Sequence, residues 1–403
     1  MKSQRGFTIT EIIVAVAIGL IGTLIVFKSL DNSHSVTRNV TGGSDAQTTG
    51  ALALYSMERD VRQAGYGIND PAILGCQLRL SNAGAPNFFL PADVTGNTAV
   101  LTPLQIRIDS DGNPILRVAY AGGRNVSGTK LVQPFPGPDA SIMRVANVYG
   151  MRKSGSLLLV TEGNTMDAEN WLPGLRICSV YQTNVDIADD ITPPAIGRTS
   201  VSPFSPSSAY AGVTYSLNAK VFNLGQGNAS GSTALNVMQD TANMPVWKEY
   251  RVNHATQTLE ERDLFRGEKD YRAIAPNVVD MYVDYVQRDG TFRTTSPVDN
   301  AGSDVAAYQK YRHEWQDIIG VRVSLLTRDA APDFSKGTSC RNADNSVITD
   351  TSKMITASTS RSLETGFPGV DPFVLDLDNN ADAYCYRYKT HSSTITMRNA
   401  AWM

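Results

Sequence analysis

The chain has 403 residues, 42 % hydrophobic and 19 % charged, enough apolar material to bury one large core or two ordinary ones, which excludes a disordered tail. A formal net charge of -3 excludes a nucleic-acid binder that works through bulk positive charge, and no nucleic-acid partner is assigned.

The first predicted element is an apolar helix. From Phe7 to Phe27 the only charge is Glu11, and at about 1.5 Å per residue such a helix crosses the roughly 30 Å hydrocarbon layer of a bilayer. Lys2 and Arg5 precede it, so the positive-inside bias keeps the first residues in the cytoplasm and sends everything beyond about residue 31 across the membrane. A secretory signal peptide has a shorter apolar stretch and a small-residue cleavage site, and a core helix has no reason to begin at residue 7. An ordinary anchor fits the hydropathy but leaves Glu11 unexplained, since a carboxylate within a spanning segment is expensive and points to a function.

The string Lys2-Ser3-Gln4-Arg5-Gly6-Phe7-Thr8-Ile9-Thr10-Glu11 joins a basic leader, Gly, Phe and Glu to that apolar run. It resembles the signal of type IV prepilins and pseudopilins. The resemblance implies that a prepilin peptidase cuts after Gly6 and methylates Phe7, and that Glu11 serves filament assembly. Gly6 offers the protease no side chain to clear.

Past Lys28, the glycines at 42, 43 and 50 weaken a helix by about 1 kcal/mol each. From Ala51 the pattern returns, with Leu54, Met57, Val61 and Ala64 on one face and Glu58, Arg59, Asp60 and Arg62 elsewhere, until Gly65 and Gly67 end it. The head that follows reads as β-rich. Leu104, Ile106 and Ile108 alternate before a turn at Asp109 to Asn113, and Ile115 to Tyr120 completes a hairpin. A second hairpin is expected from Arg144 to Tyr149 and Leu157 to Val160. In a third, Val279, Met281, Val283 and Tyr285 alternate before Asp289 and Gly290, and Asp317 to Thr327 and Thr394 to Met397 are further strands. Two stretches, Asp186 to Ser232 and Ala330 to Gly369, are polar and rich in turn formers, and read as insertions.

The expected fold is therefore α+β: a long N-terminal helix, serving as membrane anchor, against an antiparallel β-sheet head with long loop insertions. Its parts are a leader at 1–6, a membrane or filament-core helix at 7–30, an amphipathic continuation at 31–66, a first β-rich part at 67–185, an insertion at 186–234 and a second β-rich part at 235–403, with a division of the head near residue 235.

Met57 to Tyr66, Asn277 to Tyr285, Trp315 to Arg328 and Thr394 to Asn399 look like the corresponding segments of PilW-type minor pilins. That resemblance implies a structural subunit of the type IV pilus that primes assembly at or near the tip. It also implies the prepilin peptidase, other minor pilins and the major pilin as partners, a single-pass inner-membrane location with a periplasmic head, and an extracellular pilus afterwards. A J-like minor pseudopilin of type II secretion shares the layout, and an adhesive tip module on a pilin stalk is a reading of a different class.

Four cysteines, Cys76, Cys178, Cys340 and Cys385, fall on the exported side, where disulfides persist, and none forms a CxxC pair. Pairing Cys76 with Cys178 and Cys340 with Cys385 would pin each half of the head, although three connectivities are open. Asp376, Asp378, Asn380 and Asp382 place alternate oxygen side chains where a loop could wrap calcium. Ala381 stands where a calcium loop carries Gly, and Arg387 where it carries Glu, so an acidic turn explains the run as well. His34, His254, His313 and His391 are dispersed, and no hydrolase, zinc-protease or nucleotide-loop motif is present, so an enzyme is not expected.

Overall fold

The computed structural model describes residues 9–68, 70, 73–79, 98–122, 128–134, 142–149, 156–161, 177–182, 195–197, 217, 219–226, 244–265, 268, 270–298, 305–330, 360–368, 370–376, 386 and 388–399, with backbone alone for 31–32, 34–43, 77–79, 98–99, 142, 177, 181–182, 195–197, 226, 305, 360–363 and 374–376. Its elements in chain order begin with helix α1 (Ile9–Gln63). Strands β1 (Cys76–Arg79), β2 (Thr98–Leu101), β3 (Leu104–Ile108), β4 (Pro114–Tyr120), β5 (Gly128–Lys130), β6 (Ile142–Arg144), β7 (Ser156–Thr161) and β8 (Ile177–Gln182) follow. Then come β9 (Ala195–Gly197), β10 (Lys220–Gln226), β11 (Val246–Asn253), β12 (Thr258–Asp263), β13 (Arg272–Pro276), β14 (Val278–Gln287) and β15 (Phe292–Arg293). Helix α2 (Val305–Gln316) precedes β16 (Ile318–Arg328), β17 (Ser360–Leu363), β18 (Phe373–Asp376) and β19 (Tyr388–Thr396).

Helix α1 runs 55 residues without a break, about 82 Å at the α-helical rise. Glycines 42, 43 and 50 therefore do not interrupt it, and Gly50 has a packing reason: a Cβ there would strike the His391 imidazole on β19. From residue 46 onward Ala46, Gly50, Ala53, Met57, Val61 and Ala64 form one buried stripe at helical spacing. Small residues at its upper end let the helix approach β16 and β19 closely.

Three larger sheets make the head. The five-stranded sheet has the order β13-β12-β11-β4-β3 and the four-stranded sheet β15-β14-β16-β19, both antiparallel throughout. Their inner faces meet the stripe of α1 in one core, where Leu116, Val118, Tyr250, Leu259, Met281, Val283, Val321, Val323 and Ile395 are buried with Met57 and Val61. The six-stranded sheet, β2-β1-β8-β7-β10-β5, is antiparallel except for the β1–β8 pair. One of its faces packs Leu157, Leu159, Val180 and Phe222 against Trp247, Ala119 and Phe265 behind the five-stranded sheet. The other face, with Leu158, Val160 and Val221, is covered by Leu131, Met143, Val145 and Val148. Mixed α+β architecture with antiparallel sheets is what the patterning predicts; its details differ.

The hairpin of Arg144–Tyr149 with Leu157–Val160 does not form. Strand β6 pairs with β9, and β7 lies between β8 and β10 with every residue buried, so its unbroken apolar run marks a central strand covered on both faces. The supposed insertion 186–234 supplies β10, whose Val221, Phe222 and Leu224 are core. The second one, Ala330 to Gly369, supplies β17 and the buried Thr365. Sheet pairing also crosses residue 235, because β4 pairs with β11, so both parts of the head share the five-stranded sheet. Finally, a register shift between Val278 and Asp280 turns Val279 away from Met281, Val283 and Tyr285, to pack beside Leu326 and Phe373 on the opposite face.

Helix α2 was not foreseen. Tyr308, Tyr311 and Trp315 lie along its buried face, and Trp315 meets Tyr285 and Tyr311 edge-on at 6.2 and 6.3 Å. Gly75, at φ +76°, fits beneath these rings, with Tyr311 and Trp315 at 2.9 and 3.1 Å from where a Cβ would stand.

Cys76 and Cys178 are joined in a disulfide, with Cα atoms 5.9 Å apart, next to the parallel β1–β8 contact. Cys340 and Cys385 lie outside the described residues. A loop of this size, with 102 positions between the bonded residues, makes the Cys76→Ser, Cys178→Ser double variant lose about 2–5 kcal/mol of unfolding free energy. Urea titration of the full chain in detergent checks this, and an unchanged midpoint and slope would rule out a stabilising role.

Candidate functional site

The upper part of α1 has no partner surface in the head. Ile9–Leu30 has a mean hydropathy of 2.5 and none of it is buried. This length, about 33 Å at helical rise, matches the hydrocarbon layer. Ile13, Ile18, Leu24, Ile25 and Phe27 are all more than half exposed on a helix that is apolar all round, a surface that water does not tolerate. Lipid or neighbouring apolar helices must cover it. Glu11 is the one ionised side chain between Ile9 and Phe27. Gly6 and Phe7 lie outside the described residues.

The lower part of α1 is fixed to the head by more than its apolar stripe. Asp60 is 1 % exposed and accepts hydrogen bonds from Tyr250 Oη at 2.5 Å, Lys248 Nζ at 2.8 Å and Tyr120 Oη at 3.2 Å, all from the five-stranded sheet. Burial first, then the Asp60 carboxylate, pushes the phenols of Tyr120 and Tyr250 well above their ordinary range, so both stay protonated and donating. The patterning grouped Asp60 with the solvent-facing charges; its phase, one turn after Met57, is the signal that places it in the stripe. Two bonds from the other sheet add to the seat. Thr327 Oγ1 donates to the Ala46 carbonyl at 3.3 Å, and Lys389 Nζ to Gln47 Oε1 at 2.8 Å. Burial first, then the Lys389 charge, holds the His391 imidazole below its ordinary pKa, so it stays neutral against Gly50 at neutral pH.

Behind the five-stranded sheet a second buried carboxylate organises the strands. Glu249 on β11 accepts from Arg117 Nε at 2.5 Å, Arg262 Nε at 2.6 Å and Tyr271 Oη at 2.7 Å. Arg251 and Arg262 both lie over the Tyr271 ring, at 3.7 and 4.2 Å from its centroid. Burial alone would raise the Glu249 pKa, but the Arg117 and Arg262 charges outweigh it and hold the group below the usual carboxylate range.

Of the calcium candidates, Asp376 ends β18 opposite Ser360, and Asp378, Asn380 and Asp382 lie outside the described residues. Among the described residues no three His, Cys, Asp or Glu side chains gather as a metal site would need. The arrangement as a whole therefore does one thing well. It holds a long apolar rod, with Glu11 near its start, rigidly on a folded head.

No curated protein matches this chain. Residues 1–27 match the prokaryotic N-terminal methylation motif, the prepilin-type signal, which implies processing by a prepilin peptidase and membrane association, and makes the chain similar at its N-terminus to type IV pilins and pseudopilins.

Proposed function

We propose that the chain is a minor pilin of the type IV pilus that primes assembly and sits at or near the tip, a structural subunit and not an enzyme. The observation that carries this reading is the wholly exposed apolar half of α1 continuing unbroken into a helix clamped on the head. Such a rod serves as membrane anchor before assembly and as packing element afterwards. The tip assignment rests on bulk. A shaft subunit repeats by one helical operator, so each head must fit beside the next at the spacing that packs the helices. This head runs from Ala51 to Met403 and builds three larger sheets. Nothing stacks above a tip subunit, so its size is tolerated there while the rod templates the helices added below.

Cleavage between Gly6 and Phe7 is the first expected result, read as the mass of the N-terminal peptide of membrane-extracted protein. A chain still beginning at Met1, or cut beyond residue 30, would count against the processing. Loss of the gene is expected to leave few or no surface pili while major pilin accumulates in the inner membrane. Gold-labelled antibody spread evenly along normal-length pili would overturn the tip assignment, and normal piliation with loss of protein secretion would favour a type II pseudopilin.

A further inference from the structure

The face of α1 turned away from the head carries a basic groove at its far end. Tyr55, Glu58, Arg59, Arg62 and Gln63 from the helix and Arg398, which follows β19, line a space of about 220 Å3. Tyr55 is 65 % exposed and Leu52, one turn above it, 63 %, so an apolar strip leads into the groove from the membrane side. Glu58 pairs with Arg62 at 2.5 Å, and with Arg59 and Arg398 the lining holds three guanidinium groups to one carboxylate, an excess of two positive charges. Arg59 also approaches Asp60, at 3.6 Å, but that carboxylate is already held by Lys248 and Tyr250. Basic residues in a last helical turn commonly serve the helix dipole, which accounts for Arg62. It does not account for Arg398, brought to the same place from a different element in a chain of net charge -3.

We infer that this groove takes the carboxylates of a second, different pilin-like subunit, whose helix lies along α1 and presents two acidic side chains about one turn apart. The inference rests on the pilin reading above and specifies the partner. Arg59 and Arg62 stand one turn apart, so a matching pair at i and i+3 or i+4 meets both, with Leu52 and Tyr55 against the partner's apolar positions. A second copy of this chain does not fit. Between Lys28 and Gln63 its acids are Asp31, Asp45, Glu58 and Asp60. Asp60 is buried, which leaves Glu58 with no exposed acid one turn away, and Asp31 and Asp45 are roughly 21 Å apart along a helix.

The test uses the full chain in pilus-assembling cells, with the photo-cross-linking residue p-benzoylphenylalanine in place of Tyr55 and, separately, of Ile21 in the apolar half. The expected capture at position 55 is a pilin-like protein other than this chain, through a peptide carrying two carboxylates within one turn. The Arg62→Glu, Arg398→Glu double change should lower that yield about tenfold or more and leave the Ile21 capture unchanged, which also shows that the variant is folded and inserted. Lysines in place of the two partner carboxylates should restore it. Capture at position 55 of a second copy alone, of a peptide without carboxylates, or of a partner indifferent to the charge reversal would overturn the inference. Capture from Ile21 with none from Tyr55 would overturn it too, while sparing the pilin reading; no capture from either position would remove both.

Discussion

Glu249→Ala is expected to cost about 3–5 kcal/mol of stability, because it strips the shared acceptor from two arginines and a tyrosine already withdrawn from water. The Arg117 side chain is 3 % exposed, so its charge would remain buried beside Arg262 with only the neutral Gln105 amide oxygen and the Trp247 ring against it. Glu249→Gln keeps the shape and one acceptor oxygen, and should cost less. The pH dependence follows from the direction of the shift. A carboxyl held below its unfolded pKa gives stability that is fully present above that unfolded value and is lost as pH falls through the folded one. Acid unfolding of the native protein should therefore steepen below about pH 4.3, the ordinary Glu value, and Glu249→Gln should flatten that limb. Urea unfolding of the full chain in detergent, repeated across the acid range, measures both. A loss under about 1 kcal/mol for Glu249→Ala would mean that the arginines find other partners.

Glu11→Leu should have the largest effect on function while leaving the head intact. A carboxylate within a spanning helix carries a cost that reaches about 2.5–3.5 kcal/mol at the helix centre on insertion scales and is smaller near an end, so removing Glu11 does not impair anchoring. On the proposed pilin reading, what it removes is the charge that would pair with the amine created by cleavage at Phe7 of a neighbouring subunit, offsetting the desolvation of both groups. Membrane fractions should contain as much Glu11→Leu protein as wild type, correctly cleaved, while its content in sheared pili falls roughly tenfold or more. Equal incorporation would refute the pairing role.

Local rules made several elements legible. The β3–β4 hairpin could be read because Asp109 Oδ1 accepts from the amides of Asp111 and Asn113, a turn that short-range chemistry specifies. Strand β16 is a long apolar run, and the lower half of α1 shows its stripe at helical spacing. Other elements depend on distant partners. Strand β10 sits inside a polar stretch and is a strand only because β7 and β5 flank it. In β11 and β12 the charged residues Lys248, Glu249, Glu260, Glu261 and Arg262 hid the alternation, since several of them are buried in ion pairs that span strands. The aromatic face of α2 repeats at Tyr308, Tyr311 and Trp315, a helical signal overlooked beside the more apolar strand that follows. Of the candidate functional residues, Gly6, Phe7 and Glu11 are legible as a linear motif. Asp60 needed the sheet in view before its partners could be known.

The seat of α1 is built from residues made at opposite ends of synthesis. Gln47 bonds Lys389 from 342 positions away, and Ala46 bonds Thr327 from 281. Helix α1 is the first of the described elements in chain order and β19, which covers Gly50, the last, so the small-residue stripe stays bare until most of the chain has been made. Contacts this distant in sequence form slowly, because the intervening loop must close before they are rewarded. The six-stranded sheet can assemble earlier, from residues that end at Gln226. On the proposed reading, in which the head is exported, the chain would pass through a partly folded intermediate with an uncovered apolar helix, the kind that aggregates in the open. A holdase that recognises such a helix would act in that interval, and would be released by the arrival of β19.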